Sequence, residues 1–339
     1  MVTARQTVPI IIVAAIVVTA GFVIAYNQLV IAPSQTTFAT ERGNLLIVTS
    51  VAPITNIVEN IGGDKIDILQ IVPDRKDSHT FTLSIPDQVI IETRADVVII
   101  NGLNLEAPIE DAAQLSENPK LRLLKLGDET VTREQWIFDN SFPENAGNPN
   151  PHLWLNVQYA MRYAELIRDE LSLADPENAQ YYDSNAGRYL EQLAQLDTAI
   201  MQSVQTIPEG NRKLVSYHDS WPYFAKRYGF DVIAALQPAD FGEPTEAEIR
   251  GIIGQIRAEK VPAIFASEVF PNDVIQRIAD EAEVQVVRTL RDDVLPGDIG
   301  ASQHTYVGMM VANARTMVSA LGGDASLLEE YDPSNTFQS

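Results

Sequence analysis

Cysteine is absent from the 339 residues, which removes disulfide scaffolds, thiolate metal sites, cysteine nucleophiles and the lipid-accepting cysteine of a bacterial lipoprotein. Any metal bound here must be held by nitrogen and oxygen. Histidine is scarce, with four copies, so each has to be weighed by its position. Positive charge is also in short supply: 24 Lys plus Arg against 46 Asp plus Glu leave a formal net charge of -22. That balance argues against general binding to nucleic acid or anionic lipid surfaces. An acidic surface draws cations, but it is first a solubility device and names no ligand. The chain also lacks a His-Glu-x-x-His helix, a glycine-rich nucleotide loop and a Gly-x-Ser-x-Gly elbow, so the common routes to hydrolysis and phosphate chemistry have no sequence support.

Against these absences stands one long apolar run. Val8 to Ala25 carries no charge and Leu29 to Ala32 prolongs it, enough to span a bilayer. Arg5 and the terminal amine precede it and the acidic bulk follows, so the positive-inside tendency leaves everything after it outside the cytoplasm. Val23-Ile24-Ala25 would serve as a small-residue cleavage site, but the apolar core is long for a signal sequence, and an uncleaved anchor in the cell membrane is the favoured reading over a cleaved signal. The expected organisation is a cytoplasmic N-terminus over 1–7, the anchor over 8–32 and a tether over 33–43. An N-terminal lobe over 44–174, a connecting helix over 175–208, a C-terminal lobe over 209–322 and a flexible acidic tail over 323–339 then follow.

From Asn44 onward short β-rich runs alternate with longer amphipathic stretches, which predicts an α/β fold of parallel sheets covered by helices. The expected strands are Leu45 to Thr49, Ile66 to Val72, Val97 to Asn101 and Leu121 to Leu126 in the first half. Those of the second half are Lys213 to Ser216, Asp231 to Leu236, Ala263 to Ala266 and Gln285 to Arg288. The halves open alike, Ile47-Val48-Thr49-Ser50 matching Leu214-Val215-Ser216, so two similar lobes are expected. Between them Pro176 to Thr206, with Asp175 as its cap, reads as one long helix of about 45 Å that braces the lobes.

Ligands of open α/β sheets bind beyond the carboxyl ends of the strands. His79 follows the second expected strand and His218 comes two residues after Ser216, so both face a shared cleft. His152 lies in the proline-fixed turn Asn150-Pro151-His152-Leu153-Trp154. Glu268 and Asp293 occupy the same strand-end position in the second half. An isolated histidine is more often structural than a ligand, but three neutral imidazoles with a carboxylate make a closed nitrogen and oxygen set. Such a set suits zinc, and also manganese or iron where the carboxylate binds through both oxygens. Asp293 is assigned to that set on the shared geometry, its neighbour Asp292 being a carboxylate of the same loop. Glu268 is read as the carboxylate that accepts the other ring N–H of a metal-bound imidazole, with a direct ligand role left open. His304 precedes the expected helix Thr305 to Leu321 and is read as structural.

These segments resemble the metal-binding family of ABC-transporter solute-binding proteins, the periplasmic zinc- and manganese-binding receptors. The resemblance covers about Asn44 to Gly322. It rests on Asp77-Ser78-His79-Thr80-Phe81, on Asn150-Pro151-His152-Leu153-Trp154, on Ser216-Tyr217-His218-Asp219-Ser220 with Tyr223-Phe224-Ala225, and on Leu290-Arg291-Asp292-Asp293. Thr305-Tyr306, Met309-Met310 and Asn313 match the family's closing helix. The resemblance implies two lobes joined by a rigid helix, one metal held between them by His79, His152, His218 and Asp293, and delivery to a membrane permease. Histidine rather than glutamate at the third position tilts the expected cargo towards zinc. Asn150 stands where aspartate is common and Asn156 where an acidic residue is common, and the histidine-rich loop of many zinc members is missing between Asp128 and Asn150.

The function expected from the sequence is therefore that of an extracytoplasmic receptor, not an enzyme. It is read as monomeric, capturing one divalent transition metal, zinc before manganese, for a cognate ABC permease, with no nucleic-acid partner. A zinc-dependent hydrolase and a metal-stabilised surface adhesion protein are the competing expectations.

Overall fold

A computed structural model describes residues 43–73, 76–267 and 272–337. The expected anchor and all of the tether but Gly43 lie outside them, as does Glu268. No helix among the described residues is long and apolar enough to cross a membrane.

The first half contains β1 (Leu45–Thr49), α1 (Ala52–Gly62), β2 (Ile66–Gln70), α2 (Ile85–Thr93), β3 (Val97–Ile100), α3 (Ala107–Gln114), β4 (Arg122–Lys125) and α4 (Leu126–Thr130). Two long helices follow, α5 (Val157–Ala174) and α6 (Ala179–Gln205). The second half contains β5 (Lys213–Ser216), α7 (Pro222–Tyr228), β6 (Asp231–Ala235), α8 (Glu246–Glu259), β7 (Ala263–Ser267), α9 (Asn272–Ala282), β8 (Gln285–Leu290), α10 (Tyr306–Ala320) and α11 (Ser326–Glu329).

Every strand pairing is parallel, and the two sheets repeat one topology: β2-β1-β3-β4 and β6-β5-β7-β8. The reason is legible in β3, whose Val-Val-Ile-Ile is buried at every position: a strand covered by helices on both faces needs a continuous apolar run, and only crossover connections supply such cover. In each sheet the chain order reverses beside the first strand, between β1 and β3 and between β5 and β7, which opens a crevice at the carboxyl ends.

The expected connecting helix is present, with its first turn 3-10 rather than α. A 3-10 turn over Pro176–Asn178 separates α5 from α6, and the Asp175 carboxylate accepts from Asn178 Nδ2 at 2.6 Å and Tyr182 Oη at 2.8 Å rather than capping a backbone amide. The 27 residues of α6 extend about 40 Å. One apolar cluster runs from Ile47 and Ile57 through Tyr189 and Leu193 to Phe224, Phe265 and Met309, so the helix is embedded in the cores of both halves.

The tail departs from the expectation of a loose segment. Leu328 is fully buried, Tyr331 Oη donates to Gln192 O at 2.6 Å, and Asn335 Oδ1 accepts from Asn60 Nδ2 at 2.8 Å and Asn56 Nδ2 at 3.1 Å. An apolar side chain and a few amides placed against α1 and α6 suffice to order a segment that composition alone reads as polar.

Candidate metal centre

The three candidate histidines come together. His79 Nε2 lies 3.2 Å from His152 Nε2 and 3.3 Å from His218 Nε2. His79 arrives on the loop after β2, where the Asp77 carboxylate accepts its backbone N–H at 2.9 Å. His152 arrives on the proline turn ahead of α5, and the side-chain oxygen of Asn150 accepts both its backbone N–H at 3.1 Å and its Nδ1–H at 2.8 Å. Asn150 is itself tied down, donating to Asp139 at 2.9 Å and to the carbonyl of Asp219 at 2.6 Å. His218 follows β5, and its Nδ1 lies 2.7 Å from Asp292 Oδ2, which also accepts from Ser220 Oγ at 2.7 Å. His152 and His218 are buried and His79 is the most accessible of the three.

These second partners fix the chemistry. With Nδ1–H donated outward, His152 and His218 each turn Nε2 inward, and a metal at the centre would meet nitrogen lone pairs from three sides. Bonds of about 2.0–2.1 Å at tetrahedral angles place nitrogens about 3.3–3.4 Å apart, close to the spacing seen here. Asp293 is a buried carboxylate beside His218. Its Oδ2 accepts from Ser78 Oγ at 2.9 Å, while Oδ1 is buried with no hydrogen-bond partner among the described residues. A buried carboxylate oxygen left bare beside a cluster of imidazoles is the arrangement a cation completes. His218, Asp292 and Asp293 themselves bring ligand atoms within 4.8 Å of one another.

Electrostatics agree with the geometry. Burial, and then the neighbouring His218, hold the pKa of His79 and of His152 well below the usual histidine range. His218 goes the other way: burial opposes its charged form, but the Asp292 and Asp293 carboxylates outweigh that and raise its pKa to about 9. Burial and the Asp292 charge push Asp293 up to about 7. Without a metal the centre therefore holds an imidazolium paired with Asp292, next to a carboxyl that gives up its proton only near neutrality.

The structure thus brings His79, His152 and His218 together and sets Asp293 beside His218. Glu268 lies outside the described residues, and the carboxylate that takes the ring N–H of His218 is Asp292, which the sequence reading treated only as a neighbour of Asp293. The signal lay in the Asp-Asp pair itself, since two acidic residues after one strand can serve as ligand and support. His304 is not among the histidines that meet. Its side chain lines a separate cleft with Glu59 and Gln70, and the helix cap is Thr305, whose hydroxyl accepts from Gly308 N at 2.8 Å.

Comparison with known proteins gives a consistent answer. The family model described as zinc-uptake complex component A periplasmic (ZnuA) matches residues 47–320. The manganese-binding lipoprotein MntA of Halalkalibacterium halodurans is 30% identical over 289 residues, covering 85% of this chain and 92% of that protein. The manganese ABC transporter substrate-binding lipoprotein PsaA of Streptococcus pneumoniae is 26% identical over 311 residues, 90% of this chain and 97% of that one. Among solved structures, the periplasmic zinc binding protein TroA from Treponema pallidum superimposes with a TM-score of 0.74 at 26% identity, covering 82% of this chain and 99% of that chain.

Proposed function

The chain belongs to the zinc-uptake complex component A periplasmic family and is a metal ABC transporter substrate-binding protein rather than an enzyme, and on that premise we propose that His79, His152, His218 and Asp293 hold one divalent transition metal as transported cargo. The observation that carries the reading is the meeting of three imidazoles through their Nε2 atoms, with a buried carboxylate oxygen of Asp293 that has no partner standing beside His218. His79 and His152 come from the first half of the chain and His218 and Asp293 from the second, so capture draws the two lobes onto one ion. The two lobes over 44–174 and 209–322 are taken as the units that close.

Zinc is the favoured cargo and manganese the next. Ser78 holds one oxygen of Asp293 while the other is bare, which favours binding through the bare oxygen and a four-coordinate nitrogen-rich set, the preference of zinc. The relatives named above are called manganese-binding or zinc-binding by turns, and a carboxylate freed to bind through both oxygens would suit the former. We further propose that a cognate permease receives the ion, and that the apolar run Val8 to Ala25 tethers the receptor in place of a lipid, since the sequence contains no cysteine. The hydrolase reading loses its footing because four protein ligands leave zinc no open position.

Metal content by mass spectrometry of the chain purified without chelator, followed by competition between zinc and manganese, tests the proposal. About one metal per chain, lost in His152→Ala, with zinc outcompeting manganese and the margin narrowing in Ser78→Ala, is the expected result. A chain that takes up neither metal in stoichiometric amount refutes it.

A further inference from the structure

We propose that Phe241 is the ring that covers the metal centre and sets the rate of metal exchange, an inference that rests on the ligand set proposed above. Phe241 sits in the loop between β6 and α8, on the second lobe. Its ring stacks on His79, a residue of the first lobe, with centroids 4.8 Å apart and planes 13° from parallel. His79 is the most accessible of the three imidazoles, so this stack lies where the centre is least protected.

Three further observations concern the same ring. Ala239, Asp240, Gly242 and Glu243 around it are exposed, so the loop turns its one large apolar side chain inward while the rest faces water. The Phe241 backbone has φ of 56°, a left-handed conformation that is an outlier for a bulky residue, held by the bond from its N–H to Pro238 O at 3.0 Å. A cavity of about 230 Å³ opens beside His79, with Phe142 and Phe241 in its wall together with Leu103 and Pro151. Phe142 completes the screen at 5.3 Å from His79 and 5.8 Å from Phe241.

This arrangement makes the cavity an antechamber and Phe241 its movable wall. With the ring stacked, water and competing ligands in this cavity reach the centre past two phenyl rings. Once the ring lifts, His79 is open to the antechamber and the loop is released from its left-handed turn. The stack spans the lobes, so it forms only when they are closed and adds to their closure. Because stacking on a ring edge or face contributes modestly and specifically, its loss should change the rate of exchange more than the number of ions held.

The test uses the full chain loaded with zinc, with transfer of zinc to an excess of a chromogenic chelator followed by stopped flow. Phe241→Ala removes the ring; Phe241→Gly removes it while accepting the left-handed backbone without strain, so a general loss of loop structure is separated from loss of the stack. Both should still take up as much zinc as the unaltered chain and release it about five- to tenfold faster, whereas Phe241→Tyr should stay near the unaltered rate. Unchanged release from the Ala and Gly variants at full loading would overturn the cover alone. Folded Ala and Gly variants that no longer take up zinc would also overturn it, since the ring would then be needed for binding itself. An unaltered chain that takes up neither zinc nor manganese would instead sink the ligand set, and the cover with it; one that takes up manganese alone is put through the same release assay with manganese.

Discussion

Two of the three imidazoles reach the centre with the far nitrogen already committed, His152 to an amide oxygen and His218 to a carboxylate. The difference matters, because a carboxylate raises the basicity of the ring it holds and an amide does not. Asp292→Asn keeps an acceptor in place but removes the charge. It should therefore weaken zinc binding by about tenfold or more, with the full complement of metal still bound at saturation, in a competition assay against a chelator of known affinity. Unchanged affinity would show that Asp292 serves only the fold. The histidines were legible in the sequence because strand ends are positions that topology defines. Asp293 was legible as a member of the proposed ligand set from its strand-end position, but the supporting role of Asp292 was not, since a loop has no fixed alternation of side chains. The two carboxylates are held from far away: Trp154 Nε1 donates to Asp292 O at 2.8 Å and Ser78 Oγ to Asp293 Oδ2 at 2.9 Å.

Among the elements, the helices carry the connection between the halves. The Asp197 carboxylate on α6 accepts from Gln158 Nε2 of α5 at 2.8 Å and from Tyr228 Oη of α7 at 2.9 Å, and pairs with the Arg227 guanidinium. Burial opposes the charge on Asp197, but these donors outweigh it and hold its pKa below the usual range. The tail adds a second brace, reaching from Leu328 to the asparagines of α1. A loose tail would make Leu328→Ala nearly silent. Packed as it is, with no exposed surface, the substitution should cost about 2–4 kcal/mol, read as a lower midpoint in denaturant unfolding with unchanged slope. Periodicity exposed the strands and long helices, because apolar patterning repeats over many residues. It missed the tail because one leucine and one asparagine set no pattern, and it read the 3-10 turn Pro176–Asn178 as the first turn of α6 because that turn continues a helical spacing.

Across the whole molecule the centre links metal, protons and stability. His218 has a folded pKa of about 9 against an ordinary value of 6.5; its stabilising charge is fully present below about 6.5 and is lost as the pH rises through 9. Asp293, at about 7 against 3.8, has the same sign: the folded chain holds that proton more tightly than the unfolded one, and the advantage fades as the pH climbs through 7. Asp292 works in reverse, its pKa being lowered by His218 despite burial, so its contribution is present above about 3.8 and is lost at lower pH. The metal-free receptor should then be most stable in mildly acidic solution and lose thermal stability between pH 6 and 9. Metal reverses the trend, because it takes the place of the proton on His218 Nε2 and of the proton on Asp293. Binding at pH 7.5 should release about one proton per ion or slightly more, which calorimetry in buffers of different ionisation enthalpy reads directly. The rise in unfolding temperature on adding zinc should grow from pH 6 to pH 8.5. A shift that stays level across that range would mean that His218 is already neutral in the free receptor. His218 and Asp292 would then share an ordinary hydrogen bond within the second lobe, with no ion pair for the metal to replace.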